Sequence, residues 1–192
     1  MPSEIFDAEI RNLVRATEVN IKKIERYNGD FVCVALNEWR YATRHIVDMD
    51  LSDPSDENRT QAVRHFKRAY FDSSDILLDC LLAKLEDLHL GFRDYASIVQ
   101  RYVKDYPDKM KLARAAKEFH RDAEDMKNRE ESYRTVSGHC DMLESFIEEL
   151  EDTSVCWRPE IAKAIRSDRM KFWGFIIGAA TLGVSIVSLF LK

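Results

Sequence analysis

The chain has 192 residues with only 6 Gly and 4 Pro, and a charged fraction of 33%; so few turn formers beside so many charges exclude a loop-rich fold and point to long helices. The formal charge of −5 is too mild for a general nucleic-acid binder, although it leaves room for a local basic patch. Four widely spaced cysteines, Cys33, Cys80, Cys140 and Cys156, have no CxxC spacing and no histidine at ligand spacing, which excludes the usual zinc patterns and favours free thiols in a reducing compartment.

The N-terminal segment MPSEIFDAEIR is acidic and lacks the basic start and apolar run of a signal peptide. The first helix is expected from Ser3, as its cap, to about Tyr27, with Ile5, Ile10, Leu13, Val14, Ile21 and Ile24 as its apolar stripe. Asn28-Gly29-Asp30 breaks it, and a second helix follows from Phe31 to about Met49, its buried side marked by Val32, Leu36, Trp39, Ala42 and Ile46. After the turn cluster Leu51–Asp56, a third helix starts near Ser55 and continues to about Leu90, a length of roughly 50 Å. Val63, Phe66, Tyr70, Ser73, Leu77 and Cys80 form its stripe, widened by Ala62, Ala69, Ile76 and Leu81. Gly91 ends it, and a short helix is expected over Phe92–Lys104.

Pro107 suits a first helical position, so the next helix is expected from there to about Glu151. Leu112, Ala116, Phe119, Ala123 and Met126 are its seam, Gly138 is the expected kink, and Cys140, Leu143, Ile147 and Leu150 resume on a shifted face. Asp152-Thr153-Ser154 reads as a linker and Pro159 opens the last helix. No segment shows the period-two alternation of a half-buried strand. The fold class is therefore all-α: an elongated bundle of long antiparallel helices over residues 1–155, a basic juxtamembrane helix over 156–171, and one C-terminal transmembrane helix over 172–191.

That last expectation rests on Phe172–Leu191, which carries no charge, and about 20 apolar residues span a hydrocarbon core. Gly174, Gly178, Thr181, Ser185 and Ser188 fall at spacings of four, three, four and three, on one helix face suited to close packing or to lining a pore. Lys163, Arg166, Arg169 and Lys171 precede the run and would meet lipid headgroups, and positive flanks stay in the cytoplasm. A single-pass protein follows, its N-terminal domain cytoplasmic, with membrane lipids as partners.

Candidate chemistry lies in the histidines. Arg40/His45, Arg59/His65, Arg114/His120 and Arg134/His139 all fit the loose pattern Arg-x4-6-His. In an RNase site of that form histidine is the general acid or base and arginine holds the scissile phosphate. Arg59-Thr60 and Arg134-Thr135 place a polar residue after the arginine, which favours Arg59/His65 and Arg134/His139 as the catalytic candidates. Solvated helix faces are the plainer reading of all four. Neither a metal-ligand spacing nor a glycine-rich phosphate loop occurs, so no metal and no cofactor is implied.

The segment Gln61-Ala62-Val63-Arg64-His65-Phe66-Lys67-Arg68-Ala69-Tyr70 resembles the start of a long helix in prokaryotic HEPN-type domains, and the all-α layout is similar to theirs. The resemblance covers residues 30–155 and implies either an RNase or a catalytically silent module that binds or assembles. Membrane-bound members resemble accessory effectors of antiviral systems, which implies a bacterial inner membrane. Three functions follow as expectations. The first is an oligomeric membrane effector that senses a cytoplasmic protein or RNA partner, and whose C-terminal helices pack as a homo-oligomer to form a pore. The second is a membrane-tethered HEPN-type RNase. The third is a passive tail-anchored adaptor.

Overall fold

The computed structural model describes the backbone of residues 2–28, 33–50, 53, 56–123 and 129–190, and the side chains of residues 8–27, 33–50, 53, 56–119 and 132–177. Among the described residues the chain is helical, with no strand. The elements are α1 (Pro2–Asn28), α2 (Cys33–Val47), α3 (Glu57–Leu90), a 3₁₀ turn (Arg93–Tyr95), α4 (Ala96–Val99), α5 (Tyr106–Ala123) and α6 (Arg129–Phe190).

The chain divides into two compact units. The first comprises Met1–Leu90 and Pro107–Glu148, the second Gly91–Tyr106 and Glu149–Lys192.

In the first unit α3 is the central helix, with α1 and α2 both packed along it. Its buried residues include Ala62, Phe66, Ala69, Leu77, Leu78, Leu81 and Leu85, a stripe wide enough to meet neighbours on more than one side. Ala35 and Ala42 of α2, like Ala62 and Ala69 of α3, are fully buried; such small side chains let two helix backbones approach closely. Asp56 caps α3 by accepting the backbone N–H of Asn58 at 2.6 Å. Its other oxygen accepts the N–H of Asp50 at 2.6 Å, which ties the α2–α3 turn to the start of α3. On the α1 side the Asn20 amide donates to the Ser73 and Ser74 hydroxyls, which donate in turn to the Tyr70 carbonyl, so these buried polar groups are satisfied. Lys23 of α1 pairs with Glu144 of α6 at 2.6 Å, with both side chains mostly buried.

In the second unit Phe92 is the core residue. Its ring meets the edges of Trp157 at 5.2 Å and Tyr106 at 6.1 Å. Glu160 accepts hydrogen bonds from both Arg101 and Tyr102.

Several expectations change. Phe92–Lys104 is not one short helix but a 3₁₀ turn, the four-residue α4 and further turns, closed by Asp105 in the left-handed region at φ 55°. In α5 the predicted seam residue Ala116 is buried, but Ala113 is buried in place of Leu112, which is 51% exposed. Neither the kink at Gly138 nor the break before Pro159 occurs, because α6 runs through both. A side chain at Gly138 would meet nothing within 4 Å, so that glycine is a solvent-facing residue and not a packing break. The predicted seam Cys140, Leu143, Ile147 and Leu150 is buried along α6. The breaks at Asn28-Gly29-Asp30 and at Leu51–Asp56 fall largely outside the described residues.

The largest correction concerns the C-terminus. Among the described residues no helix is long and apolar enough to cross a membrane. This overturns the transmembrane helix over 172–191, the single-pass membrane localisation, and with them the tail-anchored and pore assignments. Of the uncharged run, the side chains of Phe172–Ile177 are among the described residues, fewer than the roughly 20 apolar residues that a span needs. Of the striped face, Gly174 is exposed with nothing within 4 Å of an added Cβ, whereas the side chains of Thr181, Ser185 and Ser188, and Gly178, lie outside the described residues.

Candidate active site between α2 and α3

The antiparallel run of α2 against α3 brings together two of the five histidines. His45, near the end of α2, and His65, two turns into α3, stack at a centroid distance of 5.4 Å and an interplanar angle of 14°. Tyr41, one turn before His45, lies 5.6 Å from the His65 ring, and the Arg40 guanidinium sits 5.2 Å from the Tyr41 ring centre.

Each imidazole is oriented by an acceptor on the opposite helix. His65 Nδ1 lies 2.7 Å from Glu38 Oε2. A carboxylate only accepts, so Nδ1 is the protonated nitrogen of His65. His45 Nδ1 lies 2.9 Å from Asn58 Oδ1. The Asn58 amide nitrogen donates to the Asp48 carbonyl at 3.2 Å, which turns its oxygen toward His45 and makes that ring's Nδ1 the donor too. Both rings therefore direct Nε2 away from their orienting partner, free to accept a proton when neutral and to donate one when charged. Glu38 and His65 keep 19% and 17% of their side-chain surface, so the site is sheltered without being sealed.

The remaining candidates are placed as follows. Arg59 is half-buried at the start of α3. Arg134 is exposed, and His139 packs edge-on to Phe119 at 5.5 Å, where burial lowers its pKa. The side chain of His120 lies outside the described residues, while Arg114 lines a surface hollow of about 650 Å³ between α3 and α5. His139 and His65 are thus not brought together; His65 meets His45 instead. Lys163, Arg166, Arg169 and Lys171 are all exposed on α6, Lys171 lying 3.7 Å from Asp168. Burial pushes the Cys140 thiol up to about 12, which removes it as a nucleophile at neutral pH. Among the described residues no group of three His, Cys, Asp or Glu side chains could hold a metal ion.

Sequence reasoning on its own missed Glu38, Tyr41 and Asn58 as partners of the histidines. A signal existed. Glu38, Tyr41 and His45 fall at spacings of three and four on α2, hence on one helix face, and only the pairing of α2 with α3 gives that face its partners. No protein-family model, no curated protein and no solved structure matches the chain.

Proposed function

We propose that this chain cleaves RNA by general acid–base catalysis at His45 and His65, a HEPN-type activity consistent with the resemblance of residues 61–70. The observation that carries the reading is the stacked pair of histidines whose Nδ1 atoms are both held by acceptors, leaving two Nε2 atoms for proton transfer. In this reading His65, whose ring is held by the Glu38 carboxylate, is the acid, and His45, whose ring is held by the Asn58 amide, is the base. His45 Nε2 takes the proton of a ribose 2′-OH as that oxygen attacks phosphorus, and His65 Nε2 gives a proton to the departing 5′-oxygen. The products are a 2′,3′-cyclic phosphate and a 5′-hydroxyl. Arg40, linked to the pair through Tyr41, is the cation for the charge that builds on the phosphoryl oxygens.

Purified full-length protein should cleave single-stranded RNA and leave DNA of the same sequence whole, because DNA lacks the nucleophile. His45→Ala and His65→Ala should each lower the rate by about 10²- to 10⁴-fold, and Glu38→Gln by less, since it orients and does not transfer the proton. Cleavage that survives both histidine substitutions, or a wild type without cleavage, overturns the reading.

A second observation favours self-association. Met170, Phe172, Trp173, Phe175 and Ile177 at the C-terminal part of α6 are each more than 60% exposed, and contiguous apolar surface of this kind marks interaction sites. A homo-oligomer joined through this stretch should revert to monomers, by light scattering, on Trp173→Asp with Phe175→Asp. An unchanged mass contradicts it.

A further inference from the structure

An exposed face of α3 carries a second feature. From Arg59 to Phe71 the helix has Arg59, Arg64, Lys67 and Arg68 and no acidic residue. Thr60, Arg64, Arg68 and Phe71 follow one another at spacings of four, four and three, so they form one stripe of about 16 Å along the helix. With Val63 and Lys67 they line an open hollow of about 330 Å³. Arg64, Arg68 and Thr60 are exposed. Lys67 is paired with Glu9 at 3.2 Å. Arg64 makes only a long contact of 3.4 Å with the neutral Gln61 amide, and among the described residues neither Arg64 nor Arg68 has a carboxylate partner. At the end of the stripe Phe71 stacks face to face on Tyr133 of α6, with centroids 3.8 Å apart and an angle of 8°. The Tyr133 hydroxyl donates to Asp75 at 3.0 Å and fixes that ring.

We infer that this stripe is a single-stranded RNA track, in which Arg64 and Arg68 hold consecutive phosphates and Phe71, braced by Tyr133, stacks a base. The inference rests on the RNA-cleavage reading for its choice of ligand and names the binding surface of the same site. Two unpaired guanidiniums in a row with an aromatic platform at the end match the recognition of single strands, where cations follow the backbone and bases stack without sequence preference. On α3 the track is adjacent to the catalytic pair, since His65 lies between Arg64 and Arg68 in sequence and one stripe away on the helix surface. A strand lying along Arg64 and Arg68 passes beside the rings that would cut it.

The test separates binding from cleavage. A fluorescein-labelled 2′-O-methyl oligouridylate of about 12 nucleotides cannot be cut by attack of a 2′-oxygen, so its anisotropy reports binding by the intact protein. Wild type should bind it. Arg64→Ala with Arg68→Ala should weaken binding by at least about tenfold, equally for other base compositions, and reduce the slope of log affinity against log salt by about 1.4, the value for two phosphate contacts on a single strand. Both arginines are exposed, so the fold should survive, and an unchanged circular dichroism melt confirms it. Phe71→Ala should cost about 5- to 100-fold in affinity without changing the slope. Equal binding by the double arginine variant and wild type, or no binding by wild type, overturns the track. Binding of the methylated strand together with no cleavage of ordinary RNA leaves the track standing and overturns the catalytic reading. Cleavage with no loss of affinity in the arginine variant does the reverse.

Discussion

At the residue scale, three histidines show how the same side chain is put to different uses. His45 and His65 keep polar partners on both sides of the α2–α3 seam, whereas His139 packs against the Phe119 ring and loses water. Burial lowers the His139 pKa below its ordinary 6.5. The unfolded chain then binds a proton at higher pH than the folded one, so stability rises with pH through that window. The contribution of a neutral His139 is fully present above the unfolded value near 6.5 and is lost as pH falls through the lower folded value. His139→Phe keeps the ring and removes the titration. Its urea midpoint should therefore fall less than that of wild type between pH 7 and pH 5; an identical fall in both proteins contradicts the assignment. Gly138 gives a second residue-scale test. It sits in the interior of α6 with open space beyond it, so Gly138→Ala should raise stability by roughly 0.5–1 kcal/mol, read from the same urea titration. A loss of stability would mean that the position is packed.

At the element scale, the helices are largely legible in the sequence and their ends are not. The long stripe of α3 and the seam Cys140, Leu143, Ile147, Leu150 can be read from spacing alone, because burial on one side of a helix imposes a period near 3.6. The stretch after Gly91 cannot, because a four-residue helix and a 3₁₀ turn are too short to carry a period. Gly138 and Pro159 are misleading for the opposite reason: each is a helix breaker by intrinsic preference, and the seam on either side outweighs it. The cap of α3 is the element on which the candidate site depends. Asp56 accepts backbone N–H groups from Asp50 and Asn58, and these hydrogen bonds hold its carboxyl below the usual aspartate range. Its contribution is present above the unfolded value near 3.8 and is lost as pH falls through the lower folded one. Asp56→Ala should lower the melting temperature at pH 7, narrow that deficit toward pH 3, and speed amide exchange over residues 45–60, which carry both His45 and its Asn58 partner. A melting temperature and exchange pattern equal to wild type would show that the cap does not hold the turn.

At the scale of the whole molecule, the all-α class is legible from composition, since 6 Gly and 4 Pro in 192 residues leave little room for turns. The candidate site is half-legible. The Arg-x4-6-His pattern marks four places and favours Arg59/His65 and Arg134/His139, and only the pairing of α2 with α3 brings His45 to His65 and supplies Glu38 and Asn58. Long-range pairing of this kind leaves no trace in local spacing. The C-terminal expectation fails differently: an uncharged run looks like a membrane span in the sequence, yet among the described residues no helix has the length and apolarity to cross one. The most direct measurement is the chemistry of the RNA ends produced by the purified protein, read by mass spectrometry. The account predicts 2′,3′-cyclic phosphate and 5′-hydroxyl ends that vanish with His65→Ala. Intact RNA, or 3′-hydroxyl and 5′-phosphate ends, would contradict it.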